Sequence, residues 1–141
     1  MPLKEKTIQT GPRIINYRYL NEVLKRDPDR IKILITRKPP FDIMGNNIYQ
    51  IWLTKVPHSN AVHPSRLHVI EQMVWEHLQN GKVDVILDAV EYLMIEHGVE
   101  PTLRFVSKLR DMALLMDSNF YVTVSDGLDN KVLILLKRIV E

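Results

Sequence analysis

Apolar positions in this chain follow two rhythms that alternate along its length: short, nearly unbroken runs, and longer stretches in which every third or fourth position is apolar. Ile31-Lys32-Ile33-Leu34-Ile35-Thr36 is β-branched and almost continuously apolar, the pattern of a strand covered on both faces. Pro39-Pro40 ends it, with Arg37 and Lys38 at its exit. Ile48 to Thr54 reads as a second strand after a turn containing Gly45-Asn46-Asn47, and Lys55 and Pro57 close it. Val83 to Asp88 and Phe120 to Val124 supply two more strands.

The helical rhythm fills the intervals. Tyr19, Leu20, Val23 and Leu24 predict a short helix from Tyr17 to Arg26, closed by Asp27-Pro28 because the residue before a proline avoids helical dihedrals. Leu67, Ile70, Met73, Val74 and His77 share one face of a helix over Pro64 to Gln79, with His63 or Ser65 as its cap and Asn80-Gly81 as its stop. Val90, Leu93 and Met94 lie on a short helix ended by Gly98, and Pro101 starts another that runs to Met116 with Phe105, Val106, Leu109, Met112 and Ala113 inward. Lys131 to Val140 forms a last helix, apolar around most of its circumference. Strands alternating with helices specify an α/β fold, a three-layer, mostly parallel sheet with helices on both faces.

Composition narrows the class. A length of 141 residues fits one domain, taken as residues 12–141 behind a flexible segment 1–11, and 45% hydrophobic with 26% charged residues is the balance of an ordinary globular chain. The absence of cysteine removes disulfides, thiolate metal sites and cysteine nucleophiles. Neither a secretory leader nor a membrane span is visible, so the expectation is a cytoplasmic protein without membrane contact. Nineteen basic residues against seventeen acidic ones leave a net charge of +2, too balanced to imply a nucleic-acid partner by itself.

Candidate chemistry gathers where the strands end. In a parallel sheet the carboxyl ends of the strands line one edge, and Arg37, Lys55, Asp88 and Ser125 all fall there. Asp88 closes an apolar strand as the magnesium-holding acid of a P-loop NTPase does, but none of the five glycines sits in a phosphate-cradling turn with a following Lys and Ser or Thr. The other reading of Asp88 is structural: it caps the next helix or pairs with Arg37, while Glu91 is a surface acid placed to suit the helix dipole. His58, His63 and His68 are spaced five apart, which does not put two ligands on one helical face, and no metal or cofactor is implied. His77 and His97 read as packing and helix-end residues, and Ser125 lacks a nucleophile motif. Basic residues accumulate at Arg13, Arg18, Lys25, Arg26, Arg30 and Lys32 and again at Arg104, Lys108 and Arg110, with acids between them as on solvated faces.

Three phrases carry a resemblance: Ile33-Leu34-Ile35-Thr36-Arg37-Lys38-Pro39-Pro40, Ile51-Trp52-Leu53-Thr54, and Val85-Ile86-Leu87-Asp88-Ala89-Val90-Glu91-Tyr92-Leu93. Glu96-His97-Gly98 and Leu103 to Asp111 extend it, and in this order they resemble the archaeal family known as domain of unknown function 835, over residues 14–140. The resemblance implies a fold similar to RecA-like and circadian-clock-type ATPases, an archaeal source and use as a module in signalling proteins. It implies no activity.

The function expected from the sequence is therefore a non-catalytic module derived from an NTPase fold, acting through a protein partner or through self-association. Leu133, Leu136, Ile139 and Val140 of the last helix are its candidate interaction residues, with burial against the chain's own sheet as the other reading. The alternatives are a sensor of a small anionic ligand or nucleotide at the carboxyl edge, with Arg37 and Lys55 meeting the anion and Asp88 orienting it, and a nucleic-acid-binding protein.

Overall fold

The computed structural model describes residues 10–40 and 47–141. Within them the apolar runs become six strands of one sheet: β1 (Pro12–Asn16), β2 (Ile31–Thr36), β3 (Ile48–Leu53), β4 (Ala61–Val62), β5 (Val83–Asp88) and β6 (Asn119–Val124). Their order is β1-β6-β5-β2-β3-β4, and every pairing is parallel. The α-helices are α1 (Leu20–Lys25), α2 (Leu67–Leu78), α3 (Val90–His97), α4 (Val99–Leu115) and α5 (Asn130–Val140). A three-layer α/β architecture is thus confirmed.

Strand parity sorts the sheet residues onto two unequal faces. Ile33, Ile35, Ile51, Leu53, Val85, Leu87, Phe120 and Val122 share one core with Ile70 and Val74 of α2, Leu93 of α3, Phe105 and Leu109 of α4 and Leu136 of α5. On the opposite face Leu34, Ile86 and Tyr121 pack with Ile15 of β1 and Leu20, Val23 and Leu24 of α1. Four described helices cover the first face and the short α1 covers the second. The central strands are buried on both sides, which is why they read as continuous apolar runs.

The second face tolerates polar residues only where they are paired. Lys32 is fully buried, and its ammonium donates to the carbonyls of Arg26, Asp27 and Arg30, closing the chain reversal after α1. Burial pulls that ammonium below the usual lysine range, and the charge of Asp84 opposes the shift. Asp84, next to Lys32 in register, accepts from Arg30 Nε at 2.8 Å and from Asn119 Nδ2 at 2.9 Å. A buried lysine in an otherwise apolar strand is accommodated because every proton it carries has a carbonyl within reach.

Several boundaries depart from the sequence expectation. The helix foreseen over Tyr17 to Arg26 begins as a 3-10 turn, Tyr17–Tyr19, and becomes α-helical at Leu20. The helix foreseen from Pro64 begins at Leu67 without a side-chain cap, because His63 Nδ1 instead accepts from the backbone of Ser65 and tightens the turn before it. The strands β1 and β4 were not foreseen at all. β1 opens with proline and β4 is two residues long, so neither carries a periodic signal of its own. Most of the segment expected to be flexible, residues 1–9, and Gly45 and Asn46 of the expected turn lie outside the described residues.

Candidate functional site

The chain reverses its direction of travel across the sheet between β2 and β5. From β2 it continues to β3 on one side, and from β5 it continues through α3 and α4 to β6 on the other. Such a switch point opens a crevice beyond the carboxyl ends of the two strands, where α/β folds place ligands. Thr36 ends β2 and Asp88 ends β5, side by side in register.

At this point Asp88 accepts two hydroxyl hydrogen bonds. Thr36 Oγ1 donates to Oδ2 at 2.7 Å and Thr123 Oγ1, from β6, donates to Oδ1 at 2.6 Å. Thr36 and Thr123 are 0% and 4% exposed, so the carboxylate ties the carboxyl ends of three strands together from within the sheet. This corrects both structural expectations for Asp88. It does not cap α3, whose first residues have no side-chain cap, and the described contacts do not pair it with Arg37. Both oxygens of the carboxylate are thus engaged by hydroxyl donors.

Arg37 turns away from Asp88 to bridge β3 and α3. Its Nη1 donates to the Leu53 carbonyl at 2.6 Å, and its guanidinium lies over the Tyr92 ring, 4.2 Å from the centroid. Trp52 Nε1 returns a hydrogen bond to the Arg37 carbonyl at 3.2 Å. Lys55 pairs with Glu96 at 3.3 Å. Ser125 donates from its backbone N–H, at 3.0 Å, and from its hydroxyl to the two oxygens of Glu91, which is therefore a half-buried anchor of the β6 exit rather than a surface acid.

All four residues expected at the carboxyl edge are thus found there, and α3 organises three of them. Glu91 holds Ser125, Tyr92 holds Arg37 and Glu96 holds Lys55, so one helix meets the exits of β6, β2 and β3. The sequence reading missed these partners, along with Thr36 and Thr123. The available signal was a threonine at or beside the end of each strand flanking the one that ends in Asp88.

The histidines have separate local roles. His58 Nδ1 accepts from the Asn60 backbone at 3.0 Å, and His77 Nδ1 donates to the Met73 carbonyl while its ring packs on Tyr49 with centroids 4.2 Å apart. His97 Nε2 donates to the Pro64 carbonyl at 2.8 Å, tying the end of α3 to the entrance of α2. Glu71 of α2 pairs with Lys108 of α4 at 3.0 Å. Among the described residues no three metal-ligating side chains converge.

The candidate interaction residues of α5 divide between core and surface. Leu136 and Val140 are wholly buried in the chain's own core and Leu133 packs against it, while Ile139 is half-buried. The exposed apolar residues of this helix are Ile134 and Leu135, 51% and 49% exposed.

Comparison with known proteins bears on the same segment. Neither the curated proteins nor the solved structures contain a match to this chain. A family profile does match, across residues 16–140, and its family is described as Protein of unknown function (DUF835). The matched span runs from the end of β1 to the last residue of α5 and includes the switch point with Thr36, Arg37, Asp88 and Thr123, so the chain belongs to the DUF835 family.

Proposed function

We propose that this domain acts by binding a protein partner and does not catalyse a reaction. One observation carries the reading: four ionisable side chains at the switch point are engaged by their own chain, Asp88 by two threonine hydroxyls, Glu91 by Ser125, Lys55 by Glu96 and Arg37 by the Leu53 carbonyl. These contacts tie the exits of β2, β3, β5 and β6 to one another and to α3 as a rigid edge. The missing phosphate-cradling turn points the same way, and an Asp at the end of a central parallel strand fits descent from an NTPase fold. Nucleic acid is disfavoured because several of the basic residues are held within the chain or paired with its own acids: Lys32 is buried, Arg30 pairs with Asp84, Arg18 with Asp126 and Arg104 with Glu100. The test is an ATP and GTP hydrolysis assay with magnesium. No turnover above the buffer rate is expected, and turnover abolished by Asp88→Asn would overturn the proposal.

A second reading, a sensor of a small anionic ligand, is favoured by two exposed cations at the exit of β2, Arg37, which lies over the Tyr92 ring, and Lys38. Thermal-shift titration with ATP, GTP and cyclic nucleotides separates the two. A ligand at a hundredfold excess over its Kd adds roughly 2.7 kcal/mol. A shift lost in Arg37→Ala supports the sensor; the binding-module reading expects none.

A further inference from the structure

The outward face of α5 is a single stripe, Lys131, Ile134, Leu135 and Arg138, spaced i, i+3, i+4, i+7 and exposed throughout. Two apolar side chains thus stand between a cation one turn above and a cation one turn below. The helix contains no acidic residue, and the carboxylate that follows it, Glu141, accepts from the backbone N–H of Ile14 at 2.9 Å. Lys137 and Arg138 in the last turn suit the helix dipole, but Lys131 in the first turn opposes it, so intrahelical electrostatics do not explain that cation.

We infer that this stripe is a docking site for an acidic amphipathic helix of a partner protein, an inference that rests on the proposed action through protein contact. Charge selects the occupant. A second copy packing α5 on α5 sets Lys131 against Arg138 when antiparallel and like residue against like when parallel, with no acid in the helix to relieve either arrangement. A partner helix with leucine-type residues bordered by Glu or Asp covers Ile134 and Leu135 and neutralises both flanking cations. An anionic lipid surface offers the charge, but two half-exposed apolar residues on a helix anchored by Leu136 and Val140 give it little to embed.

Two synthetic helical peptides of about 18 residues test this by fluorescence anisotropy, identical in their leucine stripe but bordered by Glu in one and by Lys in the other. The native protein is expected to bind the Glu-bordered peptide at least about tenfold more tightly than the Lys-bordered one. The K131E/R138E double variant should reverse that preference, and Ile134→Ser with Leu135→Ser should weaken binding about tenfold. All four positions are exposed, and an unchanged thermal melt confirms that the variants fold. Equal binding of the two peptides, no binding of the Glu-bordered peptide, or binding indifferent to these substitutions overturns the inference. So does a dimer that becomes monomeric on Ile134→Ser, or adsorption to anionic phosphatidylserine vesicles that outcompetes the peptide. A dimer of that kind leaves action through protein contact standing, whereas nucleotide turnover dependent on Asp88 removes it.

Discussion

Asp88 is held by geometry that the residue's charge alone does not announce. Replacing it with alanine leaves the hydroxyls of Thr36 and Thr123 buried without their acceptor, and Asp88→Ala is expected to cost about 2–3 kcal/mol in urea unfolding. Asp88→Asn keeps one acceptor and an amide that a threonine oxygen can receive, so a loss of about 1 kcal/mol is expected. Equal losses for the two variants would show that the hydroxyl network does not set the stability here. Tyr121 offers a second test at this scale. Its hydroxyl accepts from Arg26 Nη1 at 3.3 Å, and burial raises its ionisation above the ordinary phenol range. Unfolded tyrosine ionises near pH ~10, so between that pH and the higher folded value the folded state binds the extra proton and stability falls as pH rises. Tyr121→Phe removes this loss: its stability relative to the native protein should increase above pH ~10 and be nearly flat at neutral pH. Lys32, lowered by burial, acts in the opposite direction in alkali, and the difference between native protein and variant cancels it.

At the scale of elements, α3 is the organiser of the carboxyl edge, and its position depends on the corner that joins it to α4. Gly98 is that corner, with φ 87° and ψ 170°, a conformation that side chains other than glycine rarely adopt. Thr102 Oγ1 donates to the Gly98 carbonyl at 2.9 Å and fastens the first turn of α4 to it. A Cβ at Gly98 meets only Pro101 at ordinary contact distance, so the penalty of Gly98→Ala lies in the backbone and should be about 1–3 kcal/mol. A thermal melt checks it; an unchanged melting temperature would mean that the corner adapts. The corner also accounts for a boundary the sequence placed differently. Pro101 reads as the start of α4, yet the helix begins at Val99, because a proline in the first turn lacks only an N–H that has no helical partner there.

At the scale of the molecule, the sheet is closed at its β1 edge by chemistry from two distant parts of the chain. Phe120 N–H donates to the Gly11 carbonyl, so the odd-numbered residues of β1 face β6 and the even-numbered ones point outward. Of the outward donors, Pro12 has no N–H and that of Ile14 is occupied by Glu141. An edge blocked in this way resists pairing with another strand. Combining Pro12→Thr with Glu141→Ala should therefore produce concentration-dependent association in light scattering. A variant that stays as dispersed as the native protein would show that the edge is guarded by something else. The β4 edge is only two residues long and offers little to pair with.

The division between what was legible and what was not follows the range of the forces involved. The central strands, the five helices and the parallel α/β class were readable because burial on one or two faces imprints a local period on the sequence. The convergence of Arg37, Lys55, Asp88 and Ser125 on one edge was readable too, since parallel strands must end together. The partners of those residues were not. Thr36 and Asp88 are 52 positions apart, Thr123 and Asp88 35, and only the strand order and register make them neighbours. The strands β1 and β4 were illegible for the same reason: they are strands because a neighbour pairs with them, not because their own residues demand it. Likewise, the composition of α5 signalled an excess of apolar surface, but which side of the helix faces the sheet was fixed only when Leu136 and Val140 entered the core and left Ile134 and Leu135 outside. Sequence determined the central strands, the helices and the edge where the chemistry gathers; tertiary structure decided the edge strands and which side chains answer one another across the sheet, because hydrogen bonds and packing act over a few ångströms of space and not along the chain.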